Sequence, residues 1–301
     1  MPSDLDLRKV RYFLVLAETL NYSRAAQQLH IAQPVLSRQI RALEDDLKVR
    51  LFDRDKRRVE LTAAGESLRL DAGALITAAD AARRRAVRAA RGPGTFTIGF
   101  MPGLIVTPAA AALEARHPGL RVEVMRTGWD EQEQVLRDGR ADVSYVRLPV
   151  DERGLRLLPL ATEPRVAVVA RTHRLAGQDG ISITDLAGEH LVQNPDAVPE
   201  WRDIATDIRD RIPRSAQESR YSVEVKLEHV AMGRGVVVLP ASVVAFYTRP
   251  DVCAVPVTDI GPGRIALAWE SSRRSRLIKD FADLAAAADS PAATAGFLTP
   301  R

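Results

Sequence analysis

The stretch from Asn21 to Leu47 constrains the fold of this chain more than any other, because its pattern predicts two helices separated by a tight turn. Asn21 suits the N-cap of the first helix. Pro34 suits the first turn of the second helix, where the amide that proline lacks would have no helical partner. Apolar residues at intervals of four, three and four positions then form one buried stripe: Leu36, Ile40, Leu43 and Leu47.

The opposite face of the second helix is polar and basic near its N-terminus. It carries Gln33, Pro34, Ser37, Arg38 and Arg41. Arginine can pair with guanine and glutamine with adenine in the major groove, so this face favours DNA reading. For the two helices alone, an ordinary amphipathic hairpin is an equally good interpretation.

The segment after Leu47 predicts a two-stranded wing. Two short apolar runs flank a basic tip that contains Arg54, Lys56, Arg57 and Arg58. Basic side chains at such a tip can lie along phosphates or enter the adjacent minor groove. A solvated charged turn is the alternative, since nearby acidic residues partly neutralise the tip.

Five motifs in this order resemble the LysR-type transcriptional regulators. They are Ser23-Arg24-Ala25-Ala26, Gln33-Pro34-x-Leu36-Ser37-Arg38-Gln39-Ile40, Leu43-Glu44, Leu51-Phe52-x-Arg54 and Leu61-Thr62-x-Ala64-Gly65. The resemblance implies that residues 1–61 form a winged helix-turn-helix domain that binds a double-stranded DNA operator. The residues expected to contact DNA are Ser23, Gln33, Pro34, Ser37, Arg38, Arg41, Arg54, Arg57 and Arg58.

The charge distribution agrees with a DNA-binding head. Residues 1–91 hold 18 Lys+Arg and 12 Asp+Glu, a net charge of +6, whereas the remaining residues have a net charge of −2. The positive charge is therefore concentrated where phosphates would bind.

Residues 62–91 predict one long helix, with Thr62 as its N-cap. Small and apolar residues fit a heptad frame: Gly65, Ala72, Ala79 and Ala86 at one core position, and Leu68, Leu75, Ala82 and Ala89 at the other. The family resemblance implies that this helix pairs with that of a second subunit, in a homodimer or homotetramer. The alternative is an alanine-rich linker packed on its own chain.

After the helix break at Gly92-Pro93-Gly94, strands and helices alternate, which predicts a parallel α/β sheet. Residues 130–138 are predicted as one helix, residues 184–188 and 199–210 as others, and residues 191–193 as a strand. The fold class is α+β. The resemblance implies two α/β subdomains similar to type 2 periplasmic binding proteins: residues 92–162 with 267–301, and residues 163–266. Residues 289–301 have little to bury and are expected to be loosely ordered.

Ligands of such sheets lie beyond the carboxyl ends of the strands. The residues expected around an effector are Met101, Pro102, Gly103, Thr127, Trp129, Arg147, Pro199, Trp201 and Val223. In family members that sense aromatic acids, the positions matching Gly103 and Trp129 often hold hydroxyl residues. Here Trp129 offers a flat stacking surface and Arg147 a charged donor for an aromatic or conjugated carboxylate. The alternatives are a core aromatic residue and a structural ion pair.

Catalytic signatures are missing from the sequence, and its five histidines are scattered, so we expect neither an enzyme nor a metal or cofactor site. The single cysteine, Cys253, has apolar neighbours and is predicted to lie on a buried strand. No signal peptide or membrane span is apparent, which predicts a cytoplasmic protein without a membrane partner. RNA polymerase is an expected partner if the regulator is an activator. The rival hypotheses are a DNA-binding architectural protein without a ligand and a solute-binding module.

Overall fold

The computed structural model describes residues 5–55, 58–89, 94–204 and 221–288. The chain divides into two compact units, Met1–Val87 and Arg88–Arg301. Several predicted features lie outside the described residues: the wing tip at Lys56 and Arg57, most of the hinge at 92–94, the end of the helix predicted at 199–210, and the tail at 289–301. None of the described helices is long and apolar enough to span a membrane.

The first unit begins with three helices and a hairpin. Their bounds are α1 Leu7–Thr19, α2 Tyr22–Gln28, α3 Gln33–Leu47, β1 Phe52–Asp55 and β2 Arg58–Leu61. The Asn21 side chain accepts a hydrogen bond from the Arg24 amide at 3.0 Å, which confirms the predicted N-cap. Leu36, Ile40 and Leu43 are fully buried, so the apolar stripe of α3 faces the core as predicted.

The long helix α4 spans Ala63–Ala89. Its start is as predicted, because the Thr62 hydroxyl accepts a hydrogen bond from the Gly65 amide at 3.0 Å. A Cβ atom on Gly65 would lie 2.1 Å from the Leu51 carbonyl oxygen, so only glycine allows this approach of helix and wing. Leu68 and Ala72 pack against the core of their own head. The first half of the predicted heptad frame is thus used within the chain, as in the alternative interpretation.

The larger sheet of the second unit has the strand order β4-β3-β5-β10-β6. The bounds are β3 Thr95–Phe100, β4 Arg121–Arg126, β5 Val143–Arg147, β6 Leu155–Glu163 and β10 Gly263–Glu270. β3 is parallel to β4 and β5 as predicted, but β10 is antiparallel to both β5 and β6. The sheet is therefore mixed rather than parallel.

Three helices pack on this sheet: α5 Thr107–Arg116, α6 Gln134–Arg137 and α10 Arg276–Ala288. The single helix predicted at 130–138 is wrong. A 3-10 turn at Trp129–Glu131 precedes α6, because the intervening Gln132 turns inward and its side chain bonds to both backbone groups of Arg147. The core between sheet and helices includes Phe96, Tyr145 and Phe281.

The second subdomain has an antiparallel sheet in the order β8-β7-β9. Its strands are β7 Arg165–Ala170, β8 Val237–Pro240 and β9 Val252–Pro256, and its helices are α7 Pro199–Ile204, α8 Val223–Ala231 and α9 Ala241–Phe246. The helix predicted at 184–188 is instead a 3-10 turn at Ile183–Leu186. The strand predicted at 191–193 is reduced to a single bridge from Leu191 to Val236.

Two further predictions change in detail. β10 starts at Gly263, so the predicted subdomain boundary between residues 266 and 267 falls inside a strand of the larger sheet. Cys253 lies on β9 as predicted, but it is partly exposed rather than buried.

Candidate nucleic-acid interface and ligand cavity

The exposed face of α3 brings together the polar residues predicted to read DNA. Gln33, Pro34, Arg38 and Arg41 are exposed, and Ser37 is half-buried. Residues four or so apart share one helix face, so Gln33, Ser37 and Arg41 form a row with Arg38 beside it. Ser23 is exposed on α2. The arrangement presents donors and acceptors on a helix whose other face is fixed in the core.

Glu44 holds the wing against α3. One of its carboxylate oxygens, Oε1, accepts hydrogen bonds from the amides of Leu51 and Phe52 at 2.9 and 3.2 Å. A second tie joins α1 to α3, where Lys9 Nζ lies 2.6 Å from Asp46 Oδ2. In the sequence, Glu44 stands out only as part of a motif. Its role in positioning the wing is visible only in the structure.

The wing strands pair with Asp55 opposite Arg58 and Arg54 opposite Val59. The side chains of Arg54 and Arg58 are not among those described, and Arg57 lies outside the described residues. Their contacts with DNA stay predictions.

A cavity of about 790 Å³ lies between the two subdomains of the second unit. It is bordered by the loops that follow β3 and β4 and by the end of β5, as expected for a sheet of this kind. Seven of the residues predicted around an effector border it: Met101, Pro102, Thr127, Trp129, Arg147, Pro199 and Val223. Trp129 is half-buried and belongs to none of the hydrophobic cores of the described residues, which favours a place in the cavity wall over the role of a core aromatic.

Two predicted residues lie elsewhere. Trp201 is 4% exposed in the core of the second subdomain, and its indole N–H donates to the Leu186 carbonyl at 3.0 Å. Gly103 has φ +81°, and a Cβ atom there would lie 2.8 Å from the backbone of Val243. Gly103 therefore serves the close approach of two backbones, and neither residue forms the cavity wall.

Arg147 borders the cavity, but its guanidinium group is held by the protein. Nε donates to Glu163 Oε1 at 2.9 Å, and the two terminal nitrogens donate to the Pro102 carbonyl and to the Ser242 hydroxyl at 2.8 and 3.0 Å. Burial lowers the pKa of this guanidinium, and the adjacent Glu163 carboxylate opposes the shift. The structural ion pair, one of the two interpretations of Arg147, is present.

The sequence interpretation missed Lys226, which borders the cavity from α8. Its spacing in the sequence could have revealed it, because Lys226 lies on the same face of α8 as Val223, Leu227 and Val230, which are buried. A lysine on an otherwise apolar helix face is a candidate for a buried or ligand-binding charge.

Comparisons with known proteins agree with both halves of the chain. The family model described as bacterial regulatory helix-turn-helix protein, lysR family, matches residues 7–66, and the LysR substrate binding domain matches residues 89–290. The Hca operon transcriptional activator HcaR of Escherichia coli (strain K12) is 32% identical over 286 residues, which cover 92% of this chain and 96% of that protein.

Solved structures show the same architecture. CbnR, a LysR family transcriptional regulator, matches with a TM-score of 0.60 and 25% identity, over 95% of this chain and 99% of that chain. Full-length CbnR complexed with its target DNA matches with a TM-score of 0.56 and 25% identity, over 93% and 98% of the two chains. With both family models matched in the expected order, the chain belongs to the LysR family of DNA-binding transcriptional regulators and is not an enzyme.

Proposed function

We propose that this regulator binds double-stranded operator DNA through α3 and the wing, as a homo-oligomer, and that a small organic molecule in the cavity changes how it binds. The observation that carries the proposal is the polar row Gln33, Ser37 and Arg41 with Arg38 beside it, exposed except for the half-buried Ser37, on a helix buried along its other face. The likeness to CbnR with its target DNA supports this role for the head. We expect the protein to act in the cytoplasm and, as an activator, to contact RNA polymerase.

Arg38→Ala should reduce discrimination between the operator and random DNA by about 1 to 3 kcal/mol, because a bidentate contact to a base edge is lost. Arg57→Ala in the wing should instead weaken binding to all sequences and flatten the salt dependence, as expected when a phosphate contact is lost. Fluorescence anisotropy with both duplexes over a salt series measures the two effects. An unchanged ratio of specific to non-specific affinity in Arg38→Ala would contradict the assignment of α3.

We also propose that the second half of α4 pairs with a partner subunit. Leu75, Ala82 and Ala86 of the heptad frame are exposed in the single chain, and small residues allow two helices to approach closely. Ala82→Lys should hold the helices apart and lower the mass found by light scattering. Ala74→Lys, exposed on another face of α4, is the matched control. Equal masses for both variants would mean that this face does not pair.

The cavity supports the effector part of the proposal. Its volume of about 790 Å³ lies within the range of small-molecule sites, roughly 300 to 1,000 Å³. Met101 and Pro199 supply apolar walls from the two subdomains, and the half-buried Trp129 offers a stacking surface for an aromatic or conjugated carboxylate. Such a ligand can shift the regulator only if it binds one arrangement of the chain more tightly than another. A changed DNA footprint is the expected readout.

A further inference from the structure

Lys226 borders the cavity and has no hydrogen-bond or ion-pair partner among the described residues. Among the described residues that line the cavity, Arg126 donates to Glu224 at 3.5 Å, Arg147 is held by Glu163, and Arg165 is paired with Glu200. For Lys226 Nζ, the described part of the chain provides no hydrogen bond or ion pair. Burial lowers the pKa of its ammonium group, and the nearby Asp130 carboxylate opposes the shift. An anion that entered the cavity would therefore find two cations without a side-chain partner among the described residues, Lys226 and Arg264, of which Lys226 is half-buried and Arg264 is exposed.

Two neutral donors border the same cavity. Thr127 is 1% exposed, and its hydroxyl has no hydrogen-bond partner within the described residues. Gln193 is 6% exposed, and its Oε1 accepts from the Val238 amide at 3.1 Å. Because a backbone N–H can only donate, the atom bonded to Val238 is the amide oxygen, and the NH₂ group of Gln193 is left for another acceptor. A buried donor without a partner, such as the Thr127 hydroxyl, calls for a ligand or water.

Lys226 and Thr127 come from opposite sides of the cavity. The charge of the Asp130 carboxylate raises the pKa of Lys226, which indicates that the ammonium group lies near the loop that starts at Thr127. The hydrogen bond from Arg126 to Glu224 also brings the end of β4 close to the first turn of α8. One ligand group could therefore contact both subdomains at once.

We propose that the anionic group of a small organic acid binds between Lys226 and Thr127, with the Gln193 amide as a further donor. An ammonium, a hydroxyl and an NH₂ group can all donate to an acceptor-only carboxylate. Arg147 then serves to join the subdomains rather than to hold the ligand. The inference rests on the proposed function of the cavity as the effector site, and it names the residues that bind the anionic group of that effector.

Lysine modification of the unaltered full-length protein tests the proposal. Residues 92–301 contain two lysines, Lys226 and Lys279, and Lys279 is exposed on α10, so it serves as an internal reference. The probes are benzoate and sorbate, with benzamide and sorbamide as neutral analogues. At ten times its Kd, a bound acid should slow reductive methylation of Lys226 about tenfold by occupancy alone, with Lys279 unaffected. The amides should give no protection at the same concentrations.

The affinity of substituted proteins for the acids is a second test of the proposal. Lys226→Met should bind the acids about tenfold or more weakly in titration calorimetry, the loss expected for one charge-assisted hydrogen bond. Lys226→Arg should recover much of the affinity, and Lys279→Met should match the unaltered protein. Acids that bind while Lys226 reacts at its free rate, amides that bind equally well, or a panel in which no acid binds would each overturn the proposal.

The DNA footprint separates this inference from the proposed function. An acid that protects Lys226 and changes the footprint supports both. An acid that protects Lys226 without changing the footprint supports the anion site and contradicts effector control. If benzamide or sorbamide changes the footprint while Lys226 stays reactive, effector control stands and the anion site is overturned.

Discussion

Arg147→Met should destabilise the second unit by about 3 to 5 kcal/mol, the cost of removing one partner of a buried ion pair. The substitution keeps much of the side-chain volume, but within the described residues it leaves the carboxylate of Glu163, which is 8% exposed, with one hydrogen bond, from the Ser242 amide at 3.2 Å. It also removes the donors to the Pro102 carbonyl and the Ser242 hydroxyl. These contacts join β5 to β6 and to α9. Their removal should therefore loosen one subdomain from the other.

Tryptophan fluorescence can follow this unit alone, because all three tryptophans of the chain, Trp129, Trp201 and Trp269, lie in it. Urea unfolding monitored by selective excitation of the tryptophans should show the lower unfolding free energy of Arg147→Met. Arg153→Met is the matched control: Arg153 pairs with Asp151 at the surface, where solvent screening leaves an ion pair with little effect on stability.

Glu163→Gln combined with Arg147→Met should recover part of the loss, since the buried charge is removed. If Arg147→Met lost no more stability than Arg153→Met, the ion pair between Arg147 and Glu163 would not stabilise the contact between the subdomains.

The head was predictable because its signals are local. The N-cap at Asn21 and the apolar stripe of α3 lie within a few residues of the elements that they specify, and each is present in the structure. The role of Glu44 was not predictable in this way, because its partners Leu51 and Phe52 belong to the following segment. Side-chain contacts between elements depend on the packing that the sequence pattern does not show.

The mixed sheet shows a second limit of prediction from the sequence. β6 escaped prediction because Pro159 interrupts its pattern, and proline inside a run argues against a strand. In the structure, the register between β6 and β10 shifts between Ile265 and Ala266, and Ala266 is the residue opposite Pro159. An irregularity in the pairing thus accommodates the proline. The antiparallel pairing of β10 with β6 could not be inferred without β6.

The cavity was predicted in position but only partly in its residues. Strand ends located Thr127, Trp129 and Arg147 at its border. Sequence proximity to Pro199 suggested Trp201 as well, but two residues along a helix point in different directions, and Trp201 faces the core. The commitment of Arg147 to Glu163 depends on a contact across 16 residues, which is why a free donor was an equally good interpretation.

Phe13→Ala should destabilise the head by about 3 to 5 kcal/mol, the usual cost of truncating a buried phenylalanine. Phe13 is fully buried in α1, and its ring lies 5.5 Å from that of Phe52 in the wing. It shares a core with Leu36 and Ile40 of α3. A cavity at this point would therefore weaken the support of both the helix and the wing that are proposed to contact DNA.

Hydrogen exchange measured by mass spectrometry on peptides from α3 is the direct test, because the head contains no tryptophan. Amides of α3 that exchange through opening of the head should exchange about a hundredfold faster or more, at roughly 1.4 kcal/mol for each factor of ten. Peptides from β7 and β8 should be unchanged, since they belong to the other unit. Glu18→Ala, an exposed substitution on the same helix, should stay within about 0.5 kcal/mol of the unaltered protein. Equal exchange in Phe13→Ala and Glu18→Ala would show that this ring does not support α3, and operator affinity should then also be the same in the two variants.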